Sequence, residues 1–353
     1  VTLLGGGTWN EIIALGIVGI DSRFALENED MVQRCAALLA EILFDPDITN
    51  GRFNEKNTEL EKQYLLDTID AEINDKRTYA TVRCKDVMCA EELCSIKKYG
   101  YREDAMKITP ESAAKAYEEL LRTARVEIMF EGCGDPTLAK DIFAQKFADV
   151  KREPIELSRS LVKAQQGAVK EETERMEVKQ GKLVMGFRVE GIEDYRRMNM
   201  ARITFALFGG TANSLLFKNV REKMSLCYYC SSGYDRSNSI MMVSSGVEAE
   251  NAQKARDEVL HQLEMLKNGE FTDRELEETK LFIRTALMAT SDSLGAMDSW
   301  YLAQTVGGSE VSPDMEIELS AQVSREDVIW VANHTHLDTV YMLMPNENQK
   351  EAE

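Results

Sequence analysis

The order of structural signals repeats along the chain, and this repetition constrains the fold more than any other feature. Phe53 leads into Glu59-Leu60-Glu61, and Phe271 leads into Glu275-Leu276-Glu277; Leu60 and Leu276 lie 216 positions apart. Ile108-Thr109-Pro110-Glu111 opens a helix that runs into an alternating stretch at Val126. Val323-Ser324-Arg325-Glu326 opens another that runs into Val340 to Met344, and Thr109 and Ser324 lie 215 positions apart. Two independent anchors with nearly one offset point to one fold used twice. In the second copy 64 residues separate Lys182 from Gly246, whereas 18 precede the corresponding Gly19. About 46 residues that the repeat calls for are therefore missing ahead of Gly19, and the first domain is expected to lack its opening strand and one or two helices. Such a sheet would expose unpaired edges, so a sequence that begins part-way into its first domain is the expectation.

Local periodicity fills in the plan. Residues 11–18 form a short apolar run suited to a buried strand. Val32, Cys35, Leu39 and Ile42 fall at helical spacing, and that helix stops at Asp45-Pro46. Helices are predicted at 55–73 and 77–93. Another starts at Pro110, with Thr109 as N-cap. Val126, Ile128 and Phe130 alternate as in a strand, and 135–149 reads as helix. In the second half Leu183, Met185, Phe187 and Val189 alternate, helices follow at 194–208 and 212–223, and strands at 225–233 and 239–247 flank a turn. Helices are then predicted at 250–267, 273–290 and 293–305, with Thr272 and Glu275 forming a capping box. The fold class is α+β. The first domain spans 1–155, a polar connection 156–181, and the second domain 182–353.

Composition excludes several functions. Among 353 residues, 61 acidic side chains outnumber 42 basic ones, giving a net charge of −19. Such a field repels nucleic acid and anionic membrane, so neither is an expected partner. No apolar stretch approaches the ~18 residues of a membrane-spanning helix. Seven irregularly spaced cysteines suggest free thiols in a reducing compartment, hence the cytoplasm. Val1 to Gly7 has no basic start and no long apolar core, so no signal peptide is read there.

Most candidates for chemistry are weak. His334 and His336 could hold a metal from one strand, but no third ligand lies near in sequence, and His261 sits on an amphipathic helix. Cys227 and Cys230 form a C-x-x-C in a predicted strand; residues three apart point to opposite faces, so no redox pair is expected. Cys84, Cys89 and Cys94 are predicted to pack in the core. No nucleophile elbow, phosphate loop or zinc-binding His-Glu-His pattern is present. What remains is the run from Phe208 to Tyr234. There a helix carries Arg221 near its C-terminal end, and Tyr228 stands on the following strand. A guanidinium and a phenol placed this way can both donate to one carbonyl or carboxylate. Equally, they fit an ordinary helix-terminal Arg and a half-buried strand Tyr.

The Gly209-Gly210, Ser214-x-Leu216-Phe217, Val220-Arg221-Glu222-Lys223, Leu226-x-Tyr228 and Ser232 run resembles the insulinase-like, or pitrilysin-type, zinc peptidases (peptidase family M16). With the duplication, the resemblance covers nearly all of the chain. It implies two homologous α/β-sandwich domains like those of the mitochondrial processing peptidases, with mostly antiparallel sheets covered by helices and paired halves closing a chamber around a peptide. Arg221 and Tyr228 match the family's substrate-contacting pair. The family's third zinc ligand, a Glu, should fall in the helix 55–73, where Thr68 stands; a neutral hydroxyl is a poor zinc ligand, and the adjacent Asp67 is turned by ~100°. The resemblance is closest to bacterial non-catalytic members. It implies a subunit with no metal or other cofactor of its own, working with a zinc-bearing paralogue or as a homodimer on a peptide or unfolded protein. Two alternatives stay open: an active peptidase whose zinc motif precedes Val1, and a peptide-binding scaffold.

Overall fold

The computed structural model describes residues 3–9, 12–156 and 167–346. They fall into two units that do not follow chain order. The described residues of Val1–Glu72 and Ile96–Arg159 form one, and those of Ile73–Ser95 and Ser160–Glu353 form the other.

The first unit opens with an antiparallel hairpin, β1 (Leu3–Trp9) and β2 (Ile12–Val18), with Leu3 opposite Val18. Helix α1 (Met31–Phe44) starts where Asp30 accepts from the Gln33 amide, and it ends at Asp45, ahead of Pro46. A two-residue ladder, β3 (Ile48–Thr49) with β4 (Arg52–Phe53), precedes α2 (Glu55–Ala71). Helix α3 (Lys76–Met88) belongs to the second unit, and α4 (Arg102–Ala105) returns to the first. Helix α5 (Pro110–Thr123) begins in a capping box between Thr109 and Ser112, and α6 (Pro136–Ala148) follows. Ala36 and Ala40 of α1 meet Ala139 and Phe143 of α6; the small side chains let the two backbones approach closely. The strand predicted around Val126, Ile128 and Phe130 does not form. Those residues join no sheet, and all three are exposed. Alternation creates a strand only where a neighbour completes the ladder, and no strand pairs with this segment among the described residues.

The second unit is built on five strands in the order β5-β9-β6-β8-β7. They are β5 (Lys170–Met176), β6 (Gly181–Val189), β7 (Cys227–Asp235), β8 (Ile240–Val247) and β9 (Thr335–Pro345). Only β5 pairs parallel, with β9; the other pairs are antiparallel. Central strand β6 is apolar on both faces because both are covered. Leu183, Met185, Phe187 and Val189 enter the main core with helices α7 (Tyr195–Phe205), α8 (Ala252–Lys267), α9 (Asp273–Met288) and α12 (Arg325–Asn333). Helices α10 (Leu294–Gly307) and α11 (Pro313–Ala321) flank this layer. The opposite face carries α3. Gly186 packs closely there, with Met88 Sδ 2.7 Å from where a Cβ would stand. Arg188, also on that face, is buried between Asp338 at 2.8 Å and Glu92.

Of the polar stretch read as a connection, 157–166 lies outside the described residues, and Lys170–Met176 is edge strand β5. Its inward residues are polar and so concealed the strand. Glu174 accepts from Tyr79 at 2.9 Å and Tyr341 at 2.6 Å, and Glu172 pairs with Arg83 at 3.0 Å. The anchors of the repeat are helix starts. Thr109 and Ser324 both head capping boxes, and Asn54 and Thr272 cap α2 and α9 one residue after Phe53 and Phe271. The chain is α+β, with the mostly antiparallel sheet expected of it.

Candidate functional site

Arg221 and Tyr228 reach their positions through two departures from regular structure. The Phe217–Lys223 helix is π-wound, with the Met224 amide bonding to the Asn219 carbonyl at 3.1 Å, and Arg221 lies over the Phe217 ring at 4.5 Å. The chain then turns at Ser225, held at φ 51°, a left-handed conformation that side chains other than Gly adopt at a cost. Strand β7 follows with a β-bulge. Cys227 pairs with Val247 and Tyr229 with Gly246, so Tyr228 is the extra residue and its side chain swings out to solvent. The Gly-Gly of the motif has a packing reason. A Cβ on Gly209 would meet the Ser232 amide nitrogen at 2.7 Å and Leu216 Cδ1 at 2.8 Å, so only Gly lets the π-wound turn Ala206–Gly210 close against β7.

The two residues line one open cavity of about 630 Å³, with Glu222, Ser225, Leu226, Cys227, Glu248 and Asn251. The Glu248 carboxylate beside it raises the pKa of the Tyr228 phenol, which stays a neutral donor. The cavity thus presents a guanidinium and a phenol OH on one side and a carboxylate beside them. That set can hold a polar backbone group.

The C-x-x-C corrects the sequence expectation. Strand parity puts residues three apart on opposite faces, but the bulge inserts one residue and reverses parity beyond it. Cys227 and Cys230 therefore share the face that packs into the main core, close enough for each thiol to shift the other's pKa. Donation from Cys230 is the largest effect on Cys227. Burial opposes it, Ser245 and the nearby Arg221 charge assist it, and the Cys227 thiol is lowered to about 7. Sequence reasoning found the pair but not its geometry. Glu248 and Asn251 it missed altogether, because nothing local marks them.

The remaining candidates do not converge. His334 Nδ1 lies 2.8 Å from the Trp330 carbonyl and its ring stacks on Trp330, whereas His336 faces Glu190 at 4.0 Å and His261 is exposed on α8. Cys84 and Cys89 are buried and Cys94 partly so. Thr68 does not fit a zinc ligand: its hydroxyl donates to the Tyr64 carbonyl at 2.8 Å, within its own helix. Asp67 is engaged by Gln63 at 2.7 Å. Among the described residues no three His, Cys, Asp or Glu side chains are grouped to hold a metal. No helix among them is long and apolar enough to cross a membrane.

Comparison with known proteins gives this geometry its context. The family described as Peptidase M16 inactive domain matches residues 107–281, about half of the chain, including Arg221 and Tyr228. The chain belongs to the M16 peptidase family. This M16 chain is 27% identical over 329 residues to the probable inactive metalloprotease YmfF of Bacillus subtilis, covering 93% of the chain and 76% of that protein. A conserved protein from Enterococcus faecalis shares the fold with a TM-score of 0.83 at 23% identity, over 98% of this chain and 82% of that one. A peptidase M16 inactive domain from Pseudomonas fluorescens does so at 0.79 and 19% identity, over 98% and 81%. The M16 chain is thus similar to an inactive metalloprotease, and its fold is that of M16-like structures.

Proposed function

We propose that this chain is a catalytically incomplete M16 subunit that binds an extended peptide at the Arg221–Tyr228 cavity and completes the active site of a zinc-bearing paralogue. The observation that carries the reading is the shared cavity, in which a bulge and a π-turn present two strong donors together. In the complex the Arg221 guanidinium and Tyr228 hydroxyl donate to the carbonyl oxygen of the peptide bond under attack; the zinc belongs to the partner. The Thr68 hydroxyl, spent on its own helix, supports assigning the metal elsewhere. Seven cysteines without a disulfide support a reducing, cytoplasmic setting.

The test is a mixed complex of this chain with a zinc-bearing paralogue. Removing one donor aimed at a developing oxyanion costs about 10²–10³ in turnover. Arg221→Ala is expected to lower kcat by that order while both chains stay folded and associated. Unchanged turnover removes the role. Recovery of the chain with peptides but without any peptidase partner would make it a binding scaffold instead.

A further inference from the structure

A second polar cluster lies on the α3 face of the sheet. The Arg77 guanidinium lies 4.2 Å from the centre of the Tyr229 ring and donates to Ser231 Oγ at 3.2 Å. Lys182 Nζ lies 5.8 Å from the same ring and donates to the neutral Gln180 side chain at 2.6 Å. Neither cation has a carboxylate within ion-pairing distance among the described residues. Several other basic side chains of this unit do: Arg83 has Glu172, Lys85 has Asp235, Arg202 has Glu316 and Arg256 has Glu171. In a chain of net charge −19, two neighbouring cations without an anion are unusual. Asp75 and Glu248 are the carboxylates that act on Lys182, but neither is within ion-pairing distance; Asp75 caps α3, accepting from the Arg77 and Thr78 amides and the Thr78 hydroxyl. Burial and the Arg77 charge together lower the pKa of Lys182, against the weaker pull of Asp75 and Glu248.

We propose that Arg77 and Lys182 form an anion subsite beside Tyr229 that takes a carboxylate of a bound peptide. Tyr228, which lines the Arg221 cavity, and Tyr229, which carries the two cations, are consecutive on edge strand β7. A guanidinium supplies a planar pair of donors and the ammonium a compact charge, which together suit a carboxylate. The choice of a peptide as its bearer rests on the function proposed above; the cation pair itself does not.

The test uses the full chain and three probes: a labelled octapeptide with a free C-terminal carboxylate, the same peptide as its amide, and acetate alone. The free-acid peptide is expected to bind wild type about tenfold more tightly than the amide. Arg77→Gln with Lys182→Gln closes that gap, and Arg77→Lys restores part of it. Arg221→Ala weakens both peptides alike. Equal binding of the two peptides by wild type, or a gap that survives the double substitution, overturns the subsite. If neither peptide binds, the peptide reading fails and acetate decides. A saturable shift of the Lys182 side-chain resonances, absent from Arg77→Gln, supports the subsite; no shift overturns it. Inorganic phosphate binding at least tenfold more tightly than acetate would overturn the assignment to a carboxylate.

Discussion

Cys227 and Cys230 turn their thiols to the same face of one strand, although three positions separate them. The bulge at Tyr228 is responsible, and the same bulge throws Tyr228 outward into the cavity. One inserted residue thus sets both the thiol pair and the phenol, so perturbing one is expected to disturb the other.

With its thiol lowered to about 7, Cys227 should react with iodoacetamide along a pH curve centred near 7. Cys230→Ala removes the main stabilising donor and should move that midpoint upward by about one unit or more. Peptide mapping of alkylated protein across pH 6–9 reads both. A Cys227 midpoint at the ordinary thiol value of ~8.5 would contradict the geometry.

Gly209→Ala should destabilise the second unit by about 1–3 kcal/mol, because its methyl would meet backbone and a packed Leu rather than a flexible side-chain end. Gly210→Ala meets its nearest atom, the Phe205 carbonyl oxygen, at 3.3 Å and should cost less. Urea denaturation of the two variants gives the comparison. Equal stability would mean β7 yields freely.

Arg188→Met should cost about 3–5 kcal/mol, since it leaves Glu92 and Asp338 buried without their cation. A triple variant that also replaces both carboxylates with apolar residues should recover much of that loss. If the single variant loses less than about 1 kcal/mol by urea denaturation, the ion pairs are not stabilising the contact between α3 and the sheet.

Glu174 gives a pH dependence of known sign. Burial alone would raise its pKa, but the hydroxyls of Tyr341 and Tyr79 and the Arg83 guanidinium outweigh it, and the net shift is downward. A carboxyl with a lowered folded pKa contributes stability above its unfolded pKa of ~4.3, and that contribution disappears as pH falls through the folded value. Glu174→Gln should therefore cost about 1 kcal/mol at neutral pH and progressively less below pH ~4. A difference that stays constant down to pH 3 would contradict this.

Much of the plan was legible because it is local. Thr109, Thr272 and Ser324 announce their helices, since a capping oxygen and the amides it serves lie within three residues. Pro46 marks the end of α1 for the same reason. Strand β5 was hidden, because Glu172 and Glu174 face Arg83 and two tyrosines rather than an apolar layer. The stretch at Val126 misled in the opposite way, having the alternation of a strand but no neighbour to pair with. Arg221 and Tyr228 stood out only through the motif around them, and Glu248 had no motif at all.

By itself the sequence marked the capped helix starts and drew attention to Arg221 and Tyr228, because these depend on side chains meeting their own backbone neighbours or on a motif read in order. Only the tertiary structure decided which sheet α3 covers, which way Cys227 points, and that Arg77 and Lys182 stand together without an anion. These depend on strand register and on contacts between residues a hundred or more positions apart, and no short window of the chain encodes them.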